Sequence, residues 1–358
     1  MKEGLLHTEI INIAEDESSL ASAALRACEA LRRGEVISFP TETVYALACL
    51  DEPSAKDSLA LLKGREASKP FSFLVATREE ARALFGDPSP TALRLLERCT
   101  PGPLTIVFAR KGGPAVGVRI PSHRFARTVL GAFGRPILAT SANPSGEPEA
   151  VQASEVKAYF DGKIALIVDG GRTEFGRAST VVRVENDEWS VEREGVISRS
   201  QLERCLNTII LFVCAGNTCR SPLAEEFCRK LLARRMRVPV SEVESHGYTV
   251  LSAGISAKLG ARASDLAIWA ARAKGVDLGL HLSQPLTDEM AQRADFVFVV
   301  ELGQLETVRA RIVKNKGKVL LLDPAGGDIR DPAGGDYAEY LDCARRIEQA
   351  IEKVVKEL

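Results

Sequence analysis

The chain of 358 residues lacks several features that would assign it to a class at once. No apolar stretch approaches the roughly eighteen residues that cross a bilayer, so no membrane-spanning segment is predicted. The start, MKEGLLHTEIINIAEDE, has acidic residues where a secretory signal would be apolar. The net charge of −1 offers no overall field to hold a polyanion, so any contact with nucleic acid has to be local.

Cysteine and histidine are too few and too scattered for a disulfide framework or a metal centre. The eight cysteines are spread along a large chain, which fits a reducing, cytoplasmic setting. His123, His246 and His281 stand alone without the spacing of metal ligands. We therefore expect structural or solvent-facing roles for these histidines and no protein-bound metal.

Strand-like and helix-like patterns predict two domains, as the length also favours. Before residue 200, runs such as FSFLVA, LTIVFA and PILATS are separated by glycine and proline, which is typical of an α+β domain with a mixed sheet. From IILFVC onward strands and helices alternate, which predicts a doubly wound, parallel α/β sheet. We place the domains at 1–205 and 206–358, with later helices at 222–236, 262–274 and from Tyr337.

The stretch ILFVCAGNTCRSPLAEEF puts a cysteine at the end of a strand and an arginine at the start of a helix. In the spacing Cys214-x5-Arg220, loop amides and the helix N-terminus form a nest for a tetrahedral oxyanion. The same amides are expected to lower the pKa of Cys214, so that a thiolate is present near neutral pH. Arg220 can grip two phosphate oxygens, Ser221 can hydrogen-bond the sulfur, and Asn217 can hold a strained turn.

Residues 209–358 resemble the low-molecular-weight protein phosphatases, and the signature VCAGNTCRSPLAE is highly specific. SAGISA, GVDLGLHLSQPLT and RADFVFVV add to the resemblance. It implies a cofactor-free, two-step reaction on phosphorylated proteins. Cys214 attacks phosphorus, an aspartic acid protonates the leaving group, and water then hydrolyses the cysteinyl-phosphate.

Cysteine positions narrow this resemblance further. Arsenate reductases share the fold but need an additional downstream cysteine pair, and no cysteine lies between Cys228 and Cys343. That absence argues against arsenate reduction. Cys219 lies beside the nucleophile, either as a redox guard that captures oxidised Cys214 or as a small buried residue.

Thr218 bears on the choice of substrate. In this family a threonine at that loop position resembles the protein-arginine phosphatases, whereas tyrosine phosphatases usually carry a bulkier aliphatic residue. A small hydroxyl can hydrogen-bond a guanidinium or the water that attacks the intermediate. Phosphoarginine is the predicted substrate and phosphotyrosine the alternative, while a tolerated loop residue without a role is the third interpretation.

The phrase LLDPAGGDIRDPAGGD, in which six residues are spelled twice, supplies candidates for the acid. Both copies follow the strand KVLLL, on the side where open α/β sheets place their sites. The family's form, Ile-x-Asp-Pro shortly before the last helix, matches IRDP and implies Asp331 as general acid, with Asp323 as the alternative. Asp336 is placed to cap that helix. Relatives usually carry an aromatic residue after Asp-Pro, whereas Ala333 leaves that side of the cleft open.

Residues 1–200 contain neither a Walker nor a Rossmann glycine loop. Polar phrases at strand ends, among them PTETVYAL, KGREASKPF, TSANPSG and STVV, suit a polyphosphate and a small polar substrate instead. From chemistry alone, scattered surface charges with turn residues are an equal alternative. The candidate groups are the cations Lys63, Arg65, Lys69, Arg119 and Arg193 and the polar residues Thr41, Ser141, Asn143 and Ser179.

The run from about 15 to 198 resembles the YrdC-like threonylcarbamoyl-AMP synthases, because these phrases and a following REG occur in the family's order. The resemblance implies condensation of L-threonine, bicarbonate and ATP to threonylcarbamoyl-adenylate and pyrophosphate, for later modification of a tRNA adenosine. Mg²⁺ is expected to accompany ATP. By the same resemblance the site is lined by Lys63, Arg65, Ser141 and Asn143, with the two cations facing phosphates and carboxylate.

Two departures from the synthase pattern keep an alternative open. Ala46 replaces the glycine of the usual Tyr-Gly-Leu, and its added methyl is expected to narrow the pocket. The auxiliary C-terminal domain of longer relatives is replaced by the phosphatase. In the alternative interpretation, the first domain only binds nucleotide or RNA and directs a tyrosine phosphatase to its partners.

Overall fold

The computed structural model describes residues 7–14, 16–64, 71–108, 114–312, 316–325 and 327–358. The chain divides into two compact units, the N-terminal unit Met1–Cys205 and the C-terminal unit Leu206–Leu358. Across the described ranges, no helix combines the length and the apolar character needed to cross a membrane.

The N-terminal unit is built on a mixed sheet with the strand order β1-β8-β2-β3-β7-β4-β6-β5-β9-β10. Strand β2 pairs antiparallel with β3 and parallel with β8, so both pairing types occur in the one sheet. This sheet confirms the predicted mixed α+β architecture. The strands are β1 (Glu9–Asn12), β2 (Ile37–Pro40), β3 (Tyr45–Cys49), β4 (Ser72–Leu74), β5 (Leu104–Phe108), β6 (Val116–Arg119), β7 (Ile137–Ser141), β8 (Leu166–Asp169), β9 (Thr180–Glu185) and β10 (Glu188–Arg193).

The core of this unit lies between the central strands and two helices that pack on each other. Every residue of β2 and β3 is buried, which explains why both strands are nearly continuous apolar runs. Phe39 of β2 meets Phe125 edge-on, with ring centroids 6.2 Å apart. The helices are α1 (Glu17–Arg32), α2 (Pro53–Lys63), α3 (Arg78–Phe85), α4 (Pro90–Cys99), α5 (Arg124–Phe133), α6 (Ala153–Phe160) and α7 (Arg199–Leu206), of which α1 and α5 pack together.

The C-terminal unit contains a parallel sheet in the order β12-β11-β13-β14. Ile210 and Phe212 of β11 belong to one apolar cluster, and Leu211 and Val213 belong to another. Because alternate residues of a strand point to opposite faces, the sheet is covered on both sides, as predicted for a doubly wound fold. Its elements are β11 (Thr208–Cys214), α8 (Arg220–Met236), β12 (Tyr248–Gly254), α9 (Asp265–Ala273), α10 (Asp288–Arg293), β13 (Phe296–Val299), α11 (Leu302–Ala310), β14 (Val319–Leu321) and α12 (Tyr337–Glu357).

The doubled phrase forms the connection between β14 and α12, and two of its aspartates anchor that helix. Asp323 is nearly buried, and its carboxylate lies 3.5 Å from both Arg346 and Lys353 of α12. Asp336 caps α12, because its side chain accepts the N–H of Glu339 while the Glu339 side chain accepts the N–H of Asp336. Asp323 of the first copy therefore contacts the side of α12, and Asp336 at the end of the second copy is its N-cap.

Candidate active sites of the two units

In the C-terminal unit, β11 ends at Cys214, α8 begins at Arg220, and the loop between them surrounds a buried sulfur. The N–H of Asn217 donates to Sγ of Cys214 at 3.2 Å. The hydroxyl oxygen of Ser221 lies 2.9 Å from the same sulfur. Loop amide, hydroxyl and helix N-terminus thus converge on one point, which is the arrangement that receives an oxyanion beside a nucleophile.

Asn217 holds this loop in a left-handed turn with φ of 54°. That conformation costs a non-glycine residue about 1–2 kcal/mol, so it requires support from neighbours. The side-chain amide donates to Ser221 at 2.9 Å and to Ser252 at 2.8 Å, and its oxygen accepts the N–H of Gln284 at 2.9 Å. The Asn217 carbonyl lies 2.8 Å from Nε2 of His281. These contacts make the loop rigid, and the predicted structural role of His281 is a contact with the loop itself.

Close packing of the loop against β12 explains a further glycine. A Cβ added to Gly254 would lie 2.6 Å from the Ala215 carbonyl oxygen and 2.9 Å from the Asn217 nitrogen, so no side chain fits there. Sequence reasoning assigned no role to Ser252, Gly254 or Gln284. The signal was present in the polar phrases SAGISA and HLSQPLT, but a pairing between them depends on the folded chain.

Arg220 is 2% exposed and forms ion pairs with two carboxylates. Nη1 donates to Glu301 and, at 2.9 Å, to the carbonyl of Ile329, while Nη2 donates to Asp331. Sequence reasoning named Arg220 and Asp331 but missed Glu301. Its position directly after the strand DFVFVV, at the carboxyl edge of the parallel sheet, is the signal that could have found it.

The pKa of Cys214 is shifted by opposing effects. Burial is the largest and raises the pKa of Cys214, whereas the hydrogen bonds with Ser221 and the Asn217 amide and the charge of Arg220 lower it. The net direction is upward, so the expected lowering of the pKa of this thiol is not met here. The physical reason is that burial of the sulfur outweighs the hydrogen bonds and the positive charge of Arg220, which favour the thiolate.

Two further residues of the loop have more ordinary contacts. Sγ of Cys219 lies 3.2 Å from the Ser264 hydroxyl and 3.8 Å from that of Tyr340, and Cys214 and Cys219 are both free thiols. The carbonyl of Thr218 accepts the N–H of Ser264 at 3.1 Å. Both interpretations of Cys219 remain compatible with these contacts.

In the N-terminal unit, the candidate residues meet at a cavity of about 380 Å³ on one face of the sheet. Residues two apart on a strand line it, such as Gly117 and Arg119 of β6, because such residues share a face. Gly117 has no side chain, and a Cβ at this position would lie 2.7 Å from the Ser72 hydroxyl, so a larger residue would not fit here. The predicted residues that line this cavity are Thr41, Arg119, Ser141, Ser179 and Arg193, and Ala46 lies among them.

Lys63 is buried, and its ammonium group binds the loop that follows β7. Nζ donates to the Ser141 carbonyl at 2.9 Å and to the Asn143 carbonyl and side-chain oxygens at 2.5 and 2.9 Å. Neither Lys63 nor Asn143 is among the residues that line the cavity, so this lysine shapes a wall of the site from behind. Arg65 and Lys69, also predicted to bind substrate, lie outside the described residues.

The arginines of the cavity are held in different ways. Arg193 donates to the carbonyl of Ser179 at 2.9 Å. Arg119 donates from Nη2 to the buried carboxylate of Glu42 at 2.8 Å, and sequence reasoning assigned no role to that glutamate. The signal for Glu42 in the sequence was an acidic residue inside the otherwise apolar and hydroxylic phrase PTETVYAL.

Across the described ranges, no three His, Cys, Asp or Glu side chains cluster to hold a metal, so the residues present identify no protein site for Mg²⁺.

Removing the hydroxyl that contacts the nucleophile tests the electrostatics of the loop. In Ser221→Ala we expect the pKa of Cys214 to rise further, because a hydrogen bond that lowers it is lost. The rate of iodoacetate alkylation at Cys214, followed by mass spectrometry, should then reach half-maximum at a higher pH. Ser245→Ala, at an exposed hydroxyl bonded to Glu242, is the control. An unchanged midpoint in Ser221→Ala would contradict the assignment.

Comparison with known families matches each unit separately. A family model of Sua5, YciO and YrdC, described as "Telomere recombination", matches residues 29–195. A model described as "Low molecular weight phosphotyrosine protein phosphatase" matches residues 209–358.

Curated threonylcarbamoyl-AMP synthases and a solved structure of Sua5 are similar to this chain. The threonylcarbamoyl-AMP synthase of Bacillus subtilis is 33% identical over 210 residues, which cover 56% of this chain and 61% of that protein. That of Cellvibrio japonicus is 32% identical, covering 40% of this chain and 82% of that protein. A crystal structure of P. abyssi Sua5 complexed with L-threonine has a TM-score of 0.52 at 25% identity, covering 69% of this chain and 92% of that one.

The chain spans about three fifths of the length of the first curated relatives it matches. Both matched families are families of enzymes, and the two matches do not overlap. The chain therefore belongs to the Sua5, YciO and YrdC family through its N-terminal unit and is a fusion of that domain with a low-molecular-weight phosphotyrosine protein phosphatase domain.

Proposed function

We propose that the C-terminal unit is a phosphatase that removes phosphate from arginine side chains of proteins, and that the N-terminal unit makes threonylcarbamoyl-adenylate. The observation that carries the phosphatase proposal is the buried sulfur of Cys214 inside a loop that ends at Arg220. In the first step the thiol proton of Cys214 passes to the carboxylate of Asp331, the sulfur bonds to phosphorus, the bond from phosphorus to the leaving atom breaks, and Asp331 gives that atom the proton. In the second step water attacks the cysteinyl-phosphate, the bond from sulfur to phosphorus breaks and phosphate leaves, while Asp331 takes the proton from water and returns it to the sulfur.

Arg220 is bonded to Glu301 and Asp331, so it has to exchange a hydrogen-bond partner when substrate binds. A bidentate grip on phosphate needs two N–H groups on one side of the guanidinium, and Nη2 is occupied by Asp331. Phosphate therefore displaces the carboxylate of Asp331, while Glu301 keeps its bond to Nη1. The displaced carboxylate can then take the proton of the Cys214 thiol and pass it to the leaving atom.

Three features of the site support phosphoarginine as the substrate. Thr218 is small and partly accessible in the loop, and Ala333 is exposed where an aromatic wall would favour a phenol ring. The carboxylates of Glu301 and Asp331 stand at the mouth and favour a guanidinium product over a neutral tyrosine. Phosphotyrosine is the alternative, and the description of the matched family favours it.

The choice of acid is tested by comparing the two copies of the doubled phrase. In Asp331→Asn we expect kcat on a phosphopeptide to fall by about 10²–10⁴-fold, because a general acid is lost. A substrate with a good leaving group, p-nitrophenyl phosphate, should lose much less. Asp323→Asn is the matched control. Because Asp323 binds Arg346 and Lys353 of α12, we expect this variant to lower the stability of the fold and to leave kcat nearly unchanged. A larger loss of kcat in Asp323→Asn would reverse the assignment.

Substrate preference is tested at the loop threonine. The wild type should have a higher kcat/KM on a phosphoarginine peptide than on the same peptide with phosphotyrosine. Thr218→Ile should lower kcat/KM on phosphoarginine by about tenfold or more, because a hydrogen-bonding group is replaced by an apolar one of larger size. Thr218→Ser, which keeps the hydroxyl, is the control. A wild type that prefers phosphotyrosine would reject phosphoarginine as the substrate.

In the proposed reaction of the N-terminal unit, the amine of L-threonine combines with bicarbonate, with loss of water, to give a carbamate. An oxygen of that carbamate bonds to the α-phosphorus of ATP, and pyrophosphate leaves. A cavity lined by Arg119, Arg193 and the hydroxyls of Ser141 and Ser179 supports this proposal, since it offers cations to the phosphates and hydrogen bonds to the amino acid. The adenylate would serve the modification of tRNA downstream.

Pyrophosphate release tests this activity. The full chain should release pyrophosphate only when L-threonine, bicarbonate and ATP are all present. Arg193→Gln should lower kcat/KM for this release by about 10²-fold, because a cation of the cavity is lost. Cys214→Ser should leave the release unchanged and abolish phosphatase activity, so each variant controls for the other. ATP binding without pyrophosphate release would favour the alternative, a domain that only binds nucleotide or RNA.

A further inference from the structure

A buried ion pair stands beside the cavity of the N-terminal unit. Glu42 is 1% exposed and Arg119 is 8% exposed, and Nη2 of the arginine lies 2.8 Å from Oε1 of the glutamate. Removing two charges from water costs about as much as their attraction returns, so such a pair adds little net stability. A pair of this kind next to a cavity therefore calls for an explanation other than stability.

The hydrogen bonds of Arg119 are concentrated on one nitrogen. Nη2 bonds Glu42 and lies 3.5 Å from the hydroxyl of Thr41. Nε is buried without an acceptor, and in the described part of the chain no acceptor is found for Nη1. A guanidinium has five N–H donors, so most of its capacity is unused by the protein. The residue lines the cavity, where an acceptor from a ligand would complete its bonding.

A second guanidinium reinforces the need for an anion. Arg193 lines the same cavity, and the pKa of Arg193 is lowered by burial and by the like charge of Arg119, although the charge of Glu149, 3.9 Å away, acts in the opposite direction. Two neighbouring cations repel each other, and an oxyanion between them relieves the repulsion. The cavity is therefore suited to a carboxylate or a phosphate.

Glu42 itself is fixed by the protein and does not line the cavity. Oε2 accepts the N–H of His123 at 3.3 Å, and its backbone carbonyl accepts the N–H of Phe175 at 2.9 Å. Burial raises the pKa of Glu42, but the charge and hydrogen bond of Arg119 outweigh burial, so the net direction is downward and the carboxylate is ionised at neutral pH. Glu42 can thus act on substrate only through Arg119.

We propose that Glu42 is a positioning residue that fixes the guanidinium of Arg119, so that its remaining donors receive an anionic oxygen of the substrate. That oxygen belongs either to the carboxylate of the amino acid or to a phosphate of the nucleotide. The inference deepens the proposed synthase function and rests on it for the identity of the two substrates. Its geometric basis is the 2.8 Å contact between the two buried side chains and the unpartnered Nε.

The test measures binding to the full chain, with L-threonine and ATP as separate probes in calorimetric titrations. Glu42→Gln keeps the shape but removes the charge, and we expect Kd for one probe to rise by about 10–100-fold, because a small misplacement of a binding group has effects of this size. The probe whose Kd rises identifies the bound oxygen, because L-threonine supplies the carboxylate and ATP supplies the phosphates. Glu42→Asp should recover part of the loss. Glu9→Gln, at the exposed pair of Glu9 with Arg26, is the matched control and should change neither Kd.

A second variant separates positioning from folding. Glu42→Gln leaves the charge of Arg119 buried without a partner, so the thermal midpoint should fall. Glu42→Gln with Arg119→Gln restores charge balance, and the midpoint should recover while binding stays weak. Recovery of both stability and binding in the double variant would show a merely structural role and overturn the inference.

The remaining outcomes distinguish this inference from the synthase proposal. If the wild type releases pyrophosphate and Glu42→Gln keeps both KM values, the inference is wrong and the function stands. If the wild type binds a probe without releasing pyrophosphate and Glu42→Gln weakens that binding, the function is wrong and the inference stands. A wild type that binds neither probe overturns both.

Discussion

A buried guanidinium must keep an anion beside it, and this constraint organises both sites. Several kcal/mol per ion is about the cost of leaving such a charge unpaired in the protein interior. Arg220 meets the requirement with Glu301 and Asp331, and Arg119 meets it with Glu42. In each unit the arginine is held in place by at least one carboxylate of the protein.

The same constraint determines how the acid loop of the C-terminal unit is attached. The N–H of Ile329 donates to the carbonyl of Val300 at 2.9 Å, and its own carbonyl accepts from Arg220. Asp328 accepts the N–H of Leu302, the first residue of α11, at 2.6 Å. These bonds fasten the loop to the end of β13, so that Asp331 reaches the guanidinium from a fixed position.

The two units place their sites differently because their sheets differ. Parallel strands bring their carboxyl ends to one edge, and Cys214 and Glu301 come together there from neighbouring strands. The mixed sheet of the N-terminal unit offers a face, lined by alternate residues of several strands and kept open by Gly117. Patterns of strand-end residues therefore predict candidates for the first site, whereas the second depends on which strands are neighbours in space.

The amino-acid sequence alone was enough to predict the mixed sheet, the doubly wound parallel sheet and the loop from Cys214 to Arg220, because these depend on local periodicity and on a spacing of few residues. It could not assign Glu42, Glu301 or the contacts of Asn217, since their partners lie far away in the chain. The doubled phrase shows the limit most clearly. The two copies share the letters DPAGGD, and the family resemblance favoured Asp331 with Asp323 as the alternative, but only the folded chain showed that Asp323 binds α12 and that Asp331 binds Arg220. The same letters acquired different contacts because tertiary packing presents each copy to a different neighbour.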